Sequence, residues 1–228
     1  MNDQKRSFLS TARVTGLWYL MLAITGMLGF LIIDPNIFIA GNSEQTLSNL
    51  INDKALARFR LILEFLIVIS QALTAVWFYK LFMSVNKWAA WTLGVWGMVN
   101  AVAIMLSAVT IAVSISIAGS ETLAFDEQLL LIELLRGLGA NAWGAGSIFF
   151  ALWLFPMGYV ITKSKRMPLW LGRILIIGGV GYLLSTVLGY SGVDSSFVEL
   201  LTIPATIGEF WMIGYLLVYG IRPAIEER

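Results

Sequence analysis

The stretch Leu129 to Met157, LLLIELLRGLGANAWGAGSIFFALWLFPM, decides how the rest of the chain is read. At about 1.5 Å of rise per residue, a helix over it is longer than the roughly 30 Å of bilayer hydrocarbon. It carries Glu133 and Arg136 just inside its leading edge, with Asn141, Trp143 and Ser147 further along. A helical spacing of three sets the two opposite charges on one face. Charges inside a bilayer are rare and turn toward protein or trapped water rather than lipid. The run therefore reads as a membrane span whose polar side needs a buried partner surface.

Composition extends that reading to the whole chain. Hydrophobic residues make up 58% and charged residues 13%, about half the charge fraction of an ordinary soluble domain. Glycine is tolerated in spanning helices and tryptophan collects at the interfaces, which suits 21 glycines and 9 tryptophans. Outward from the central stretch, the apolar runs predict six spans, at about 12–33, 58–83, 88–117, 129–161, 169–190 and 197–221. The expected fold class is all-α, a polytopic transmembrane bundle of six helices forming a single domain over 1–228. The first run is too long for a signal-peptide core and ends at Asp34-Pro35 without a small-residue cleavage site, so it reads as uncleaved. Between the first two spans, Ser43 ahead of Leu47, Leu50 and Ile51 patterns a short capped amphipathic helix, an ordinary connector being the alternative. The short Ser84 to Lys87 turn makes the second and third spans antiparallel neighbours, and Pro168 opens the fifth helix.

Six spans put both ends of the chain on one side. That side collects Lys5, Arg6, Arg13, Lys80, Lys87, Lys163, Lys165, Arg166, Arg173, Arg222 and Arg228. The other holds Lys54, Arg58 and Arg60 among the acids Asp34, Glu44, Asp53, Glu121, Asp126, Glu127, Asp194 and Glu199. Cytoplasmic loops carry the excess of Lys and Arg, so both termini are expected in the cytoplasm.

Polar side chains within the spans follow helical spacing. Arg60, Glu64 and Gln71 form one stripe on the second span, Thr202, Thr206 and Glu209 another on the sixth, and Asn100, Ser107 and Ser114 a third. Counting rise from the outer face puts Glu64 and Glu133 about 10 Å deep and Glu209 about 15 to 18 Å deep. Arg60, Glu64, Glu133, Arg136 and Glu209 are therefore expected to converge in the outer half as ligand-binding or proton-switch residues, with Glu209 the switch. An interfacial or purely structural charge cluster is the competing reading for the first four. The Ser and Asn stripe reads as interhelical hydrogen bonding, and Gly181, Ser185 and Gly189, with Ala140 and Gly144, read as close helix packing.

Missing residue types exclude much chemistry. There is no histidine and no cysteine, hence no b-type haem ligand, no imidazole general base, no thiolate metal site and no iron–sulfur cluster. No metal site and no cofactor are expected. No lysine lies deep in a span, and all five aspartates are expected outside the spans, which leaves carboxylate chemistry to glutamate. No nucleotide-binding motif is visible. The expected partners are the lipid bilayer, a small polar ligand or ion and a further copy of the chain, with no nucleic acid.

The segments TARVTGLWYLMLAITGMLGF, PLWLGRILIIGGVGYLL and PATIGEFWMIGYLLVYGI resemble, in order, those of the bacterial membrane-protein family catalogued as domain of unknown function DUF4386. The resemblance covers nearly the whole chain. It implies a compact six-span protein of the bacterial cytoplasmic (inner) membrane and supplies no catalytic residue; Gly208-Glu209 lies in the matching closing segment. Three function classes remain: binding or transport of a small polar molecule or ion, a membrane-embedded enzyme using glutamate carboxylates, and a non-catalytic scaffold or accessory subunit. Two inverted three-helix repeats would suit transport, but Glu64, Glu133 and Arg136 have no counterparts on the spans that would correspond.

Overall fold

A computed structural model describes residues 3–193 and 195–221, and the side chains from residue 8 on. Lys5, Arg6, Asp194, Arg222 and Arg228, which entered the charge count, lie outside the described side chains. Among the described residues the chain is helical without strands. The order is α1 (Asp3–Met27), a π-helical turn (Leu28–Ile33), α2 (Asp34–Ile37), α3 (Ser43–Asn52), α4 (Lys54–Phe82), α5 (Lys87–Ala118), α6 (Phe125–Ser164), α7 (Leu169–Tyr190), α8 (Ser196–Leu200) and α9 (Ile203–Val218). Six helical runs are long and apolar enough to cross a membrane: Phe8–Ile37, Lys54–Phe82, Lys87–Ala118, Phe125–Ser164, Leu169–Tyr190 and Ser196–Val218. This is a multi-pass membrane protein by the length and composition of its helices. Only helices satisfy their own backbone groups well enough to span lipid without closing a barrel.

Local sequence explains where these helices start and stop. The tetrapeptide turn after α4 is closed by Val85 and Asn86 N–H bonds to the Phe82 carbonyl. Asn86 then caps α5, its side chain accepting from Ala89 N–H at 2.9 Å. The amphipathic helix expected after Ser43 is present as α3, capped one residue earlier by Asn42, which accepts from Gln45 N–H. Of its buried residues Thr46, Leu47 and Leu50, the two leucines pack into a cluster with Ile37, Ala57, Ala118 and Ile132.

One boundary differs in a way that matters. The first span was expected to end at Asp34-Pro35, yet the helix continues to Ile37. Proline lacks an N–H and its ring crowds the carbonyl four residues back. The chain meets this with the π-helical turn, in which Asp34 N–H reaches back to the Gly29 carbonyl. Asp34, expected outside the spans, therefore sits on the Phe8–Ile37 helical run.

The chain separates into two compact units. Unit 1 comprises residues 1–20, 70–100 and 147–228, and unit 2 residues 21–69 and 101–146. They do not follow the N-terminal and C-terminal halves, so the division is not that of an inverted repeat. In unit 1 the backbones of α7 and the α8–α9 region touch. A Cβ on Gly178 would come within 2.5 Å of the Ala205 backbone, and one on Gly181 would collide with the Leu201 carbonyl oxygen. Small residues permit such approach between membrane helices. Gly181 thus packs as expected, whereas Gly189 faces open space. Large apolar side chains stay on the outside, Trp88, Trp170, Leu31 and Leu130 among them, where lipid would solvate them. In unit 2 the core of Ile67, Val68 and Ile104 is extended by Leu22, Phe30 and Trp143.

Candidate functional site

In unit 2, α4 carries Arg60 and Glu64 one helical turn apart, and both are buried, at 1% and 0% exposure. Arg60 Nη1 donates to Glu64 Oε2 at 2.7 Å, and Arg60 Nε donates to Asp34 Oδ1 at 2.9 Å. Trp143 Nε1 donates to the other oxygen, Glu64 Oε1, at 2.9 Å. The π-helical turn gives Arg60 an apolar bed. The guanidinium lies 4.8 Å from the Phe30 ring centroid, and a Cβ on Gly29 would be 3.5 Å from Nη1. Trp143 in turn meets Phe30 edge to face at 4.7 Å. Cation–π and charge-assisted contacts of this kind strengthen where water is excluded. A buried guanidinium between two carboxylates and an aromatic face is a rigid wall.

Arg136 on α6 is half-buried and is held differently. Its Nη1 donates to the Ile39 backbone carbonyl. Among the described residues the ion pairs are Arg60–Asp34 and Arg60–Glu64, so Arg136 has no carboxylate partner. Glu133, expected to pair with it, is exposed and bonds to nothing among the described residues. A cavity of about 190 Å³ opens in this unit, lined by Phe30, Asp34, Arg60, Ser107, Arg136 and Trp143 among others. Ser107 and Thr110 reach it where α5 and α6 close up. A Cβ on Gly139 would stand 2.7 Å from Thr110 Oγ1. Of the serines expected to bond between helices, Ser114 returns to the Thr110 carbonyl of its own helix. Ser107, 4% exposed, lines the cavity.

In unit 1, the Tyr19 hydroxyl on α1 donates to Glu209 Oε1 on α9. Glu209 is half-buried and has no cation in ion-pair reach among the described residues. Around Tyr19 the rings of Phe78 and Trp153 stand edge-on, each 5.5 Å away. Gln71, placed by periodicity on the same stripe as Arg60 and Glu64, belongs to this unit and donates to the Gly97 carbonyl at 3.3 Å. Its Oε1 and the Trp153 indole N–H are buried without a protein partner. Thr202 and Thr206 return to carbonyls of their own chain segment.

The structure thus brings Arg60, Glu64 and Arg136 into one unit, leaves Glu133 at the surface, and gives Glu209 to the other unit with Tyr19. Asp34 and Tyr19 were missed. Asp34 was hidden because Asp-Pro reads as a helix end, although its place four residues after Phe30 would have marked it had the run been extended. Tyr19 offers no charge or motif; a polar hydroxyl in mid-span, needing an acceptor, was the available signal. Among the described residues no three acidic groups gather as a metal would require.

Comparison with known proteins gives a family and no activity. A stretch of 68 residues, 30% of this chain, is 32% identical to an uncharacterized protein of Archaeoglobus fulgidus, and covers 42% of that protein's length. No solved structure matches the chain. The family model described as domain of unknown function (DUF4386) matches residues 14–220, most of the chain, and the chain therefore belongs to that family.

Proposed function

We propose that this protein binds a small polar molecule or ion in the cavity of unit 2 and passes it across the membrane. The observation that carries the reading is a hollow of about 190 Å³ with a largely apolar wall, on helices apolar enough to span lipid, into which Asp34, Arg60 and Arg136 reach, Arg136 being bonded among the described residues to the neutral Ile39 carbonyl. Ligand sites combine apolar and aromatic walls with a few convergent polar groups, and polar groups on membrane helices that face a cavity mark substrate pathways. In this reading Arg60 and Glu64 shape the wall rather than touch the ligand, because each is already committed to protein partners. Glu209 is the protonatable switch, a carboxyl whose charge can change without moving a counterion. The cavity belongs to the outer half and both termini to the cytoplasm of a bacterial inner membrane.

The paired state of Arg60 and Glu64 also favours a second reading, a non-catalytic scaffold in which charges fix helix register. Proteoliposomes separate the two. Glu209→Gln keeps a hydrogen-bonding group for Tyr19, so the variant is expected to fold with an unchanged thermal midpoint and to lose uptake driven by a pH gradient. Uptake in Glu209→Gln that follows the gradient as in the parent protein removes the switch. A reconstituted parent protein that moves no solute leaves the scaffold.

A further inference from the structure

Resting on that reading, we propose that the ligand of the unit 2 cavity is a small zwitterion, with its carboxylate on Arg136 and its ammonium on the free oxygen of Asp34. Arg136 lines the cavity and spends one nitrogen on the Ile39 carbonyl. A guanidinium offers five donors in a planar fork suited to a carboxylate, and a backbone carbonyl is a weak substitute for an anion. Asp34 lines the same cavity. Only its Oδ1 is taken by Arg60, and its side chain keeps 32% of its exposure. One cavity therefore presents an under-used cation and an under-used carboxylate oxygen.

Charge balance selects the ligand class. Arg60 and Arg136 cancel Asp34 and Glu64, so the set is neutral before any ligand enters. A monoanion or a simple cation would leave an unpaired charge among apolar helices, which is costly. A zwitterion adds none. Ser107, buried and lining the cavity, supplies a further polar contact, and Phe30 and Trp143, already locked edge to face, supply the apolar wall. At about 190 Å³ the volume equals that of roughly six liquid waters, the scale of a small amino acid rather than of a larger solute.

An isosteric series tests this on the full chain in detergent, reading the ligand-induced rise in thermal midpoint. The probes are leucine, with both charges; 4-methylpentanoate, with only the anion; 3-methylbutylamine, with only the cation; and 4-methylpentanamide, with neither. Leucine is expected to bind at least about tenfold more tightly than each of the other three, the order of one charge-assisted hydrogen bond. Arg136→Gln lies outside the Arg60 cluster, so it is expected to fold and to reduce leucine to the level of the amine, while Arg136→Lys restores part of the response. The ligand series probes the Asp34 contact without substituting a residue on which Arg60 depends. If 4-methylpentanoate matches leucine, or Arg136→Gln binds leucine as the parent does, the zwitterion assignment is overturned while the cavity stands as a binding site. If none of the four shifts the midpoint at high concentration, both this assignment and the binding reading fall.

Discussion

In unit 2 the buried Arg60 lies between Asp34 and Glu64, and Trp143 takes the remaining Glu64 oxygen. In unit 1 Glu209 has a phenol for its partner and, among the described residues, no cation, while Gln71 and Trp153 each leave a buried polar atom unbonded. One region places full charges in apolar helices and neutralises them within the protein. The other holds a single carboxyl, Glu209, on a phenol whose ring meets Phe78 and Trp153 edge-on. The difference teaches which region tolerates change. Removing one member of a neutralised charge cluster strands full charges, whereas removing one hydrogen-bonding partner in unit 1 leaves a single polar group unbonded.

The largest expected effect follows from Arg60. Arg60→Leu leaves Asp34 and Glu64 without their cation, and breaking a buried pair from one side costs about 3–5 kcal/mol. Thermal unfolding in detergent is expected to show a loss of that size. A combined Arg60→Leu and Glu64→Leu replacement removes both fully buried charges, so it is expected to regain part of the loss, less the cost of an unpaired Trp143 N–H and of Asp34, which still lacks its cation. A single Arg60→Leu that unfolds at the parent's midpoint breaks the comparison, because the cluster would then contribute no more than a surface pair.

The architecture was legible because hydropathy and punctuation agree. The fifth span, set by Pro168 before it and Ser191 after it, was read as 169–190 and is α7, Leu169–Tyr190. The site was legible only along each helix. Periodicity put Arg60 and Glu64 on one face of α4, and they bond there. It also put Gln71 on that face, yet Gln71 meets Gly97 in unit 1, because a long helix meets different neighbours along its length. Glu133 and Arg136, one turn apart, do not pair. Arg136 is drawn instead to the Ile39 carbonyl, 97 residues away in sequence, and no spacing rule reaches that far. Asp34 was assigned to a loop because a local proline signal outweighed the apolar run on either side. The π-helical turn that reconciles the two has no sequence mark beyond the proline it accommodates.

A middle-sized effect belongs to Tyr19. Tyr19→Phe keeps the ring against Phe78 and Trp153 and removes only the hydroxyl that serves Glu209. Hydrogen bonds between membrane helices contribute about 0.6 kcal/mol on average and at most about 1.7, so the loss in unfolding free energy is expected within that range. A loss matching that of Arg60→Leu would mean that Glu209 depends on the phenol as a buried charge depends on its counterion, and the contrast between the units would vanish.

The smallest effect is expected at Gln71, and its sign discriminates. Gln71 is fully buried, yet it makes one long bond to Gly97 at 3.3 Å and leaves its Oε1 without a protein partner. Gln71→Leu is close in size, removes the unsatisfied oxygen and gives up the weak bond. A buried polar atom without a partner costs about 1–3 kcal/mol, whereas a made bond contributes about 0.5–1.5. If the interior is dry, the first term is larger and Gln71→Leu stabilises the protein. If internal water satisfies Gln71 Oε1 and Trp153 N–H, the apolar side chain displaces it and leaves the indole stranded, so the same substitution destabilises. The direction of the midpoint shift therefore reports whether internal water meets Gln71 and Trp153 in unit 1, water that a proton reaching Glu209 would need.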